Sequence, residues 1–241
     1  MLNEDLKKGF DYQVFEQVER ETTGLGWFSS VLPERMVTKA RILAFRGTDF
    51  DGLTDIFYGT LRNDQIELAL EYFERERARF PDDGIPWIVT GHSLGGALAT
   101  EVSIQHPEVR AYMFNTSPFY GGDAMTNDMR RTVFNERGEV LRRFARYDAA
   151  PAADLFTVNC GPANGTFTKH KIRPLADCIT WIAAYESEEA LAVIRANADS
   201  DMPVQKPMVE CGPADKPHPG TGHLQIEPCV HQSRSSETAN R

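Results

Sequence analysis

Gly91-His92-Ser93-Leu94-Gly95 follows the short apolar run Trp87-Ile88-Val89-Thr90 and runs straight into Gly96, Ala97, Leu98 and Ala99. A G-x-S-x-G set between a strand-like run and a helix-favouring one is the sequence form of a nucleophile elbow, with Ser93 at its tip. Strand and helix cross so closely there that Gly91 and Gly95 have no room for a Cβ, and glycine tolerates the strained turn. A serine hydroxyl is a weak nucleophile at neutral pH, so it requires a base within hydrogen-bond reach and a carboxylate to orient that base. The chemistry served is attack on an acyl carbonyl, whose oxyanion needs two N–H donors already aimed at it.

Around such an elbow the chain order is serine, then acid, then histidine. The histidines beyond Ser93 are His106, His170, His218, His223 and His231. His106 lies at the far end of the elbow helix, roughly 18 Å away at about 1.5 Å per residue. The last three sit in a Pro-rich segment with little to hold an imidazole in place. His170, in a loop that opens a helix, is the expected base. Asp148, directly after an expected strand from Glu139 to Tyr147, is the expected orienting acid, with Asp154 as the alternative. The oxyanion donors are expected to be the amide of Leu94 and an amide at Thr48, where the apolar run Ala40 to Phe45 gives way to Arg46-Gly47-Thr48-Asp49.

The elements that must position these residues follow from the hydrophobic period. Residues 3 to 20 carry Leu6, Phe10, Val14, Phe15 and Val18 at helical spacing. Ala40 to Phe45 reads as a buried strand, and Asn63 to Phe80 as an amphipathic helix with Ile66, Ala69, Leu70 and Phe73 on one face. The Glu/Arg run from Glu74 to Arg79 reads as its solvated face. Val109 to Phe114 is another strand, and residues 171 to 196 are helical, with a second start at Ser187. Alternating strands and helices imply an α/β domain with a largely parallel sheet, its site at the carboxyl ends of the strands. That domain is expected over residues 1–200, and residues 201–241, rich in proline and poor in large apolar residues, as an extended or disordered tail.

Beyond the elbow, Ala44-Phe-Arg-Gly-Thr-Asp49, Gly52-Leu-Thr-Asp55, Phe114-Asn-Thr-Ser-Pro118 and Tyr147-Asp148 stand in order along the chain. With Thr90 to Ala99 they resemble the successive motifs of the class 3 lipases of the α/β-hydrolase fold, over roughly residues 40 to 150. The spacing from Asp148 to His170 is more similar to the short bacterial members than to the fungal ones. The resemblance implies Ser93 as nucleophile, Asp148 as triad acid and Thr48 as an oxyanion-hole residue, and hydrolysis of carboxylic esters, commonly acylglycerols or phospholipids.

Composition bounds the partners. The 241-residue chain carries a formal net charge of −9, which argues against nucleic acid or an anionic membrane as a constant partner, since Lys and Arg clusters hold both. The start of the chain lacks the order of a signal peptide, and no run reaches the roughly 20 apolar residues of a membrane span. The expectation is a protein cytoplasmic as made, with no membrane anchor; signal-independent export stays open. Four spread cysteines are expected to be free thiols. No cofactor is expected and no metal, because Cys211, His218, His223, Cys229 and His231 match no zinc spacing. The partner is an acyl ester or lipid substrate, and the oligomeric state is not encoded in these features. Phe50, Phe57, Phe119 and Tyr120, from the loops leaving the strand ends beside Ser93, are expected to form an acyl pocket, with a short helix around Thr54 to Tyr58 as partial cover. The alternatives are a soluble esterase or thioesterase for small acyl groups, and a binding protein that keeps the fold without catalysis.

Overall fold

The computed structural model describes residues 10–21, 35–47, 63–80, 82–118, 120–123, 126–141, 152, 154–161, 164–197 and 209–211. Within them a seven-stranded sheet runs in chain order, β1 (Tyr12–Glu21), β2 (Arg35–Phe45), β3 (Trp87–His92), β4 (Arg110–Phe114), β5 (Arg131–Glu136), β6 (Asp154–Val158) and β7 (Val209–Cys211). The strands from β2 to β6 are parallel, in a register that aligns Phe45, Gly91, Met113, Val133 and Leu155. The outer strands β1 and β7 pair antiparallel. Five helices accompany them: α1 (Asn63–Arg79), α2 (Leu94–Gln105), α3 (Thr166–His170), α4 (Ile172–Ala184) and α5 (Glu188–Asn197).

The expected parallel α/β architecture is present, and the physics of its centre is simple. Strands buried on both faces read as continuous apolar runs, as in β2 and β3, and α2 is small and apolar because it lies flat on them. Leu43, Phe45, Val89, Ala97, Leu98, Val102, Met113 and Phe73 form one buried cluster, which places α1 and α2 over β2, β3 and β4. A second cluster joins Val158 of β6 to Leu175 and Cys178 of α4.

Four expectations are corrected. Residues 3–20 are not a helix where described, because Tyr12–Glu21 form β1, paired with β2 from Tyr12↔Phe45 to Glu21↔Arg35. Phe10, Tyr12, Val14 and Val18 all stand at even positions, so a four-residue spacing satisfies period 2 as well as period 3.6. The strand expected from Glu139 to Tyr147 starts elsewhere: β5 is Arg131–Glu136, residues 137 and 138 turn, residues 139–141 are not strand, and residues 142–147 lie outside the described residues. Glu76, within the run expected to be solvated, is buried and accepts hydrogen bonds from Tyr12 Oη and Arg79 Nη1, both at 2.8 Å. Cys160 and Cys178, expected as free thiols, form a disulfide with Cα atoms 6.0 Å apart. Within the expected tail, Val209–Cys211 are strand, laid on Phe156 to Val158.

The disulfide joins the loop after β6 to α4 across 18 residues of chain that include α3. By loop-closure entropy a cross-link of that length stabilises the fold by about 3 kcal/mol. Cys160→Ser is therefore expected to lower the free energy of urea unfolding by about that amount, and adding a reductant to the wild type should do the same. Equal unfolding curves with and without reductant would count against it.

Candidate active site

Ser93 stands between the end of β3 and the start of α2 with φ 57°, one of the few non-glycine residues with positive φ among the described residues. L-residues pay for that backbone, and the surroundings hold it. Ser93 N donates to Phe114 O at 3.1 Å, and Ser93 O accepts from the amides of Gly96 and Ser117 at 3.1 and 3.0 Å. The glycines have the reason the motif requires. A Cβ on Gly91 would fall on the backbone of Gly95, and one on Gly95 would fall on Phe45 O. Gly47, just beyond β2, lies so close that a Cβ would be 2.5 Å from His92 O. The start of the loop that carries Thr48 is thus against the elbow, while Thr48 itself lies outside the described residues. Leu94 is the first residue of α2, where amides have no carbonyl one turn back to bind.

His170 ends α3 and is fully buried. Its Nδ1 is 2.7 Å from Oε2 of Glu139, which is also fully buried and accepts from Leu141 N at 2.8 Å. A carboxylate only accepts, so Nδ1 carries the proton and Nε2 is the basic nitrogen. Glu139, inside the strand expected over residues 139–147, lies instead just after β5, the position from which an acid should project. Asp148, expected in that role, lies outside the described residues. Among the described residues no hydrogen bond joins Ser93 to His170; such bonds are often long before substrate binds.

Two further residues touch the end of α3. His92 Nε2 lies 2.6 Å from His170 O, with the two imidazole centroids 4.8 Å apart. Asn115, fully buried at φ 42°, donates from Nδ2 to Lys169 O at 3.0 Å and His170 O at 3.3 Å. Burial, reinforced by the neighbouring His170, lowers the His92 pKa from 6.5 to about 4. Between pH 6.5 and 4 the unfolded chain takes up a proton at His92 that the folded one refuses, so stability falls with pH across that window. At pH 4.5 the loss is about 2 to 3 kcal/mol relative to neutral pH. Urea unfolding of wild type and His92→Gln at pH 7 and 4.5 should show the wild type losing that much more; parallel losses would remove His92 as the cause.

A cavity of about 310 Å³ adjoins α3, lined by Glu136, Cys160, Asn164, Lys169, Leu175 and Trp181 among others. Glu136 receives the amides of Cys160 and Gly161 at 3.0 and 3.1 Å, yet burial outweighs them and pushes its pKa up. Tyr120, expected to line an acyl pocket, is packed against the main core, and the amide of Gly122 beside it binds Glu101 of α2 at 3.0 Å. Phe50, Phe57, Phe119 and the cover expected over Thr54 to Tyr58 lie outside the described residues. Among the described residues no group of histidines, cysteines and carboxylates could hold a metal ion, and no helix is long and apolar enough to cross a membrane.

Residues 23–241 match the model of the alpha/beta hydrolase family, and the chain belongs to that family. Solved structures similar to it include a lipase from Rhizopus microsporus var. chinensis, 19% identical, covering 54% of this chain and 55% of that one at a TM-score of 0.31. Another is the propeptide complex of Rhizomucor miehei lipase, 16% identical, covering 68% and 64% of the two chains at a TM-score of 0.29. The chain therefore spans less than two thirds of either structure. No curated protein matches it.

Proposed function

We propose that this alpha/beta hydrolase is a serine-dependent carboxylic ester hydrolase of lipase or phospholipase type, akin to the class 3 lipases and closer to their short bacterial members than to the fungal ones. The observation that carries the reading is the strained Ser93 elbow on the same strand whose last residue, His92, is bonded to His170. In this reading Ser93 Oγ attacks the acyl carbonyl and His170 Nε2 takes its proton. A carboxylate holds Nδ1–H and balances the imidazolium: Glu139, or Asp148 as the class 3 pattern has it. The amides at Thr48 and Leu94 receive the oxyanion. His170 then protonates the leaving alcohol, and water, activated by the same nitrogen, frees the acid from Ser93.

The test is a panel of nitrophenyl esters of rising chain length beside phospholipid and triacylglycerol emulsions, with Ser93→Ala as blank. A buried methylene contributes about 0.8 kcal/mol, so specificity should rise about three- to fourfold per CH₂ until the acyl pocket is full. Medium-chain esters are the expected optimum. Turnover that falls steadily from acetate upward, with no lipid hydrolysed, would select the small-acyl esterase or thioesterase instead. No hydrolysis above the blank would leave a non-catalytic member of the family.

A further inference from the structure

Resting on the reading of His170 as the base, we infer that His92 and Asn115 are positioning residues, two N–H donors on neighbouring strand ends that clamp the carbonyl end of α3 and so fix the His170 ring. The need for a clamp follows from the element itself. A helix of five residues, Thr166–His170, is below the length at which helices hold themselves together, and its last carbonyls have no partner within it. His170 sits at that end, where the backbone is least determined by its own helix.

The clamp meets those carbonyls directly. His92 Nε2 is 2.6 Å from His170 O; a carbonyl oxygen only accepts, so Nε2 is the protonated nitrogen and the His92 ring is the Nε2–H tautomer. Asn115 Nδ2 reaches Lys169 O and His170 O, while its Oδ1 accepts from Glu136 N at 2.8 Å, which fixes which way the amide points. The left-handed backbone at Asn115 is one that Asn adopts more readily than most residues, and Asn115 N is held by Phe134 O at 2.9 Å. The His92 ring also packs on the His170 ring, with 50° between planes. With its pKa lowered to about 4, His92 keeps this donor unchanged through neutral pH.

The arrangement ties base to nucleophile through the backbone of the elbow itself. His92 precedes Ser93 in the chain, and Asn115 follows β4, whose last carbonyl binds Ser93 N. Both donors are thus fixed to the elbow, and the place of His170 relative to Ser93 is set by the sheet and not by the loop that leads into α3.

Three variants test it. His92→Phe keeps a ring against His170 and removes the donor, His92→Gln returns an N–H of similar reach, and Asn115→Asp keeps the turn and the bond from Glu136 N while removing the donors. With a short soluble ester, His92→Phe and Asn115→Asp are expected to lower kcat by about 10- to 100-fold, the cost of an ångström-scale misplacement, with KM changed less than about twofold. His92→Gln should return to within about threefold of wild type. A readout free of turnover is the proton resonance of His170 Nδ1–H in its bond to Glu139: sharp in wild type and His92→Gln, broadened by exchange in the other two. Wild-type kcat with an unchanged resonance in His92→Phe and Asn115→Asp overturns the clamp, as does a loss that His92→Gln fails to recover. Wild-type protein no more active than Ser93→Ala overturns the hydrolase reading alone, and the resonance still decides the clamp.

Discussion

Ser93→Ala is expected to lower turnover on the order of 10⁴- to 10⁶-fold while leaving the fold as stable as the wild type. The two halves of that result have separate causes. Without Oγ there is no atom to form the acyl intermediate, and the remaining oxyanion donors and binding contacts supply only residual acceleration. Stability is spared because alanine keeps the Cβ, so the backbone at φ 57° is no more strained than before. The bonds that hold that turn, to Phe114 O and from Gly96 and Ser117, are all made by the backbone of residue 93. A fluorophosphonate probe is expected to add once to wild type, on Ser93, and not at all to the variant. An unmodified mass for the folded wild type at neutral pH would exclude an activated serine.

What the sequence makes legible here is what is local. The elbow could be read because its requirements, two glycines, a serine and an apolar strand, fall within a dozen residues, and the crowding at Gly91 and Gly95 is the contact those glycines exist to permit. The strand β5 could not. Its inward positions include Arg131 and Asn135, both fully buried, which breaks the apolar signature on which strand reading depends. Arg131 is tolerated there because Thr126 O and Ser103 Oγ, at 2.7 and 3.2 Å, come from the preceding turn and from α2, partners that no periodicity reveals. With β5 ending at Glu136, the segment that follows it carries Glu139, a carboxylate that the strand expected over residues 139–147 conceals. The same limit hid the disulfide: Cys160 and Cys178 are brought together by the path of α3, and spacing alone could not distinguish them from two thiols. His92 and Asn115 were within view, in Gly91-His92-Ser93 and Phe114-Asn115-Thr116. Their partners are backbone atoms more than 50 residues away, which a motif cannot name.

Glu139→Gln is expected to have the second largest effect, and with Asp148→Asn it assigns the acid. Glu139 Oε2 lies 2.7 Å from His170 Nδ1, with neither side chain reached by solvent. In that setting the carboxylate does two things for a base: it selects the tautomer whose Nε2 is the accepting nitrogen, and it balances the charge when the imidazole takes the serine proton. Glutamine has nearly the same shape and can still accept the Nδ1–H bond and that of Leu141 N, so the turn should survive. The charge is lost, and the amide N–H₂ competes to bind the wrong tautomer. A fall in kcat on the order of 10² to 10⁴ is expected, the upper figure being that of acid-to-amide exchange in a serine triad, with KM little changed. Asp148→Asn should leave kcat within about threefold. The reverse pattern, turnover kept in Glu139→Gln and lost in Asp148→Asn, would return the role to Asp148 and reduce the Glu139–His170 pair to a resting contact, broken when substrate enters.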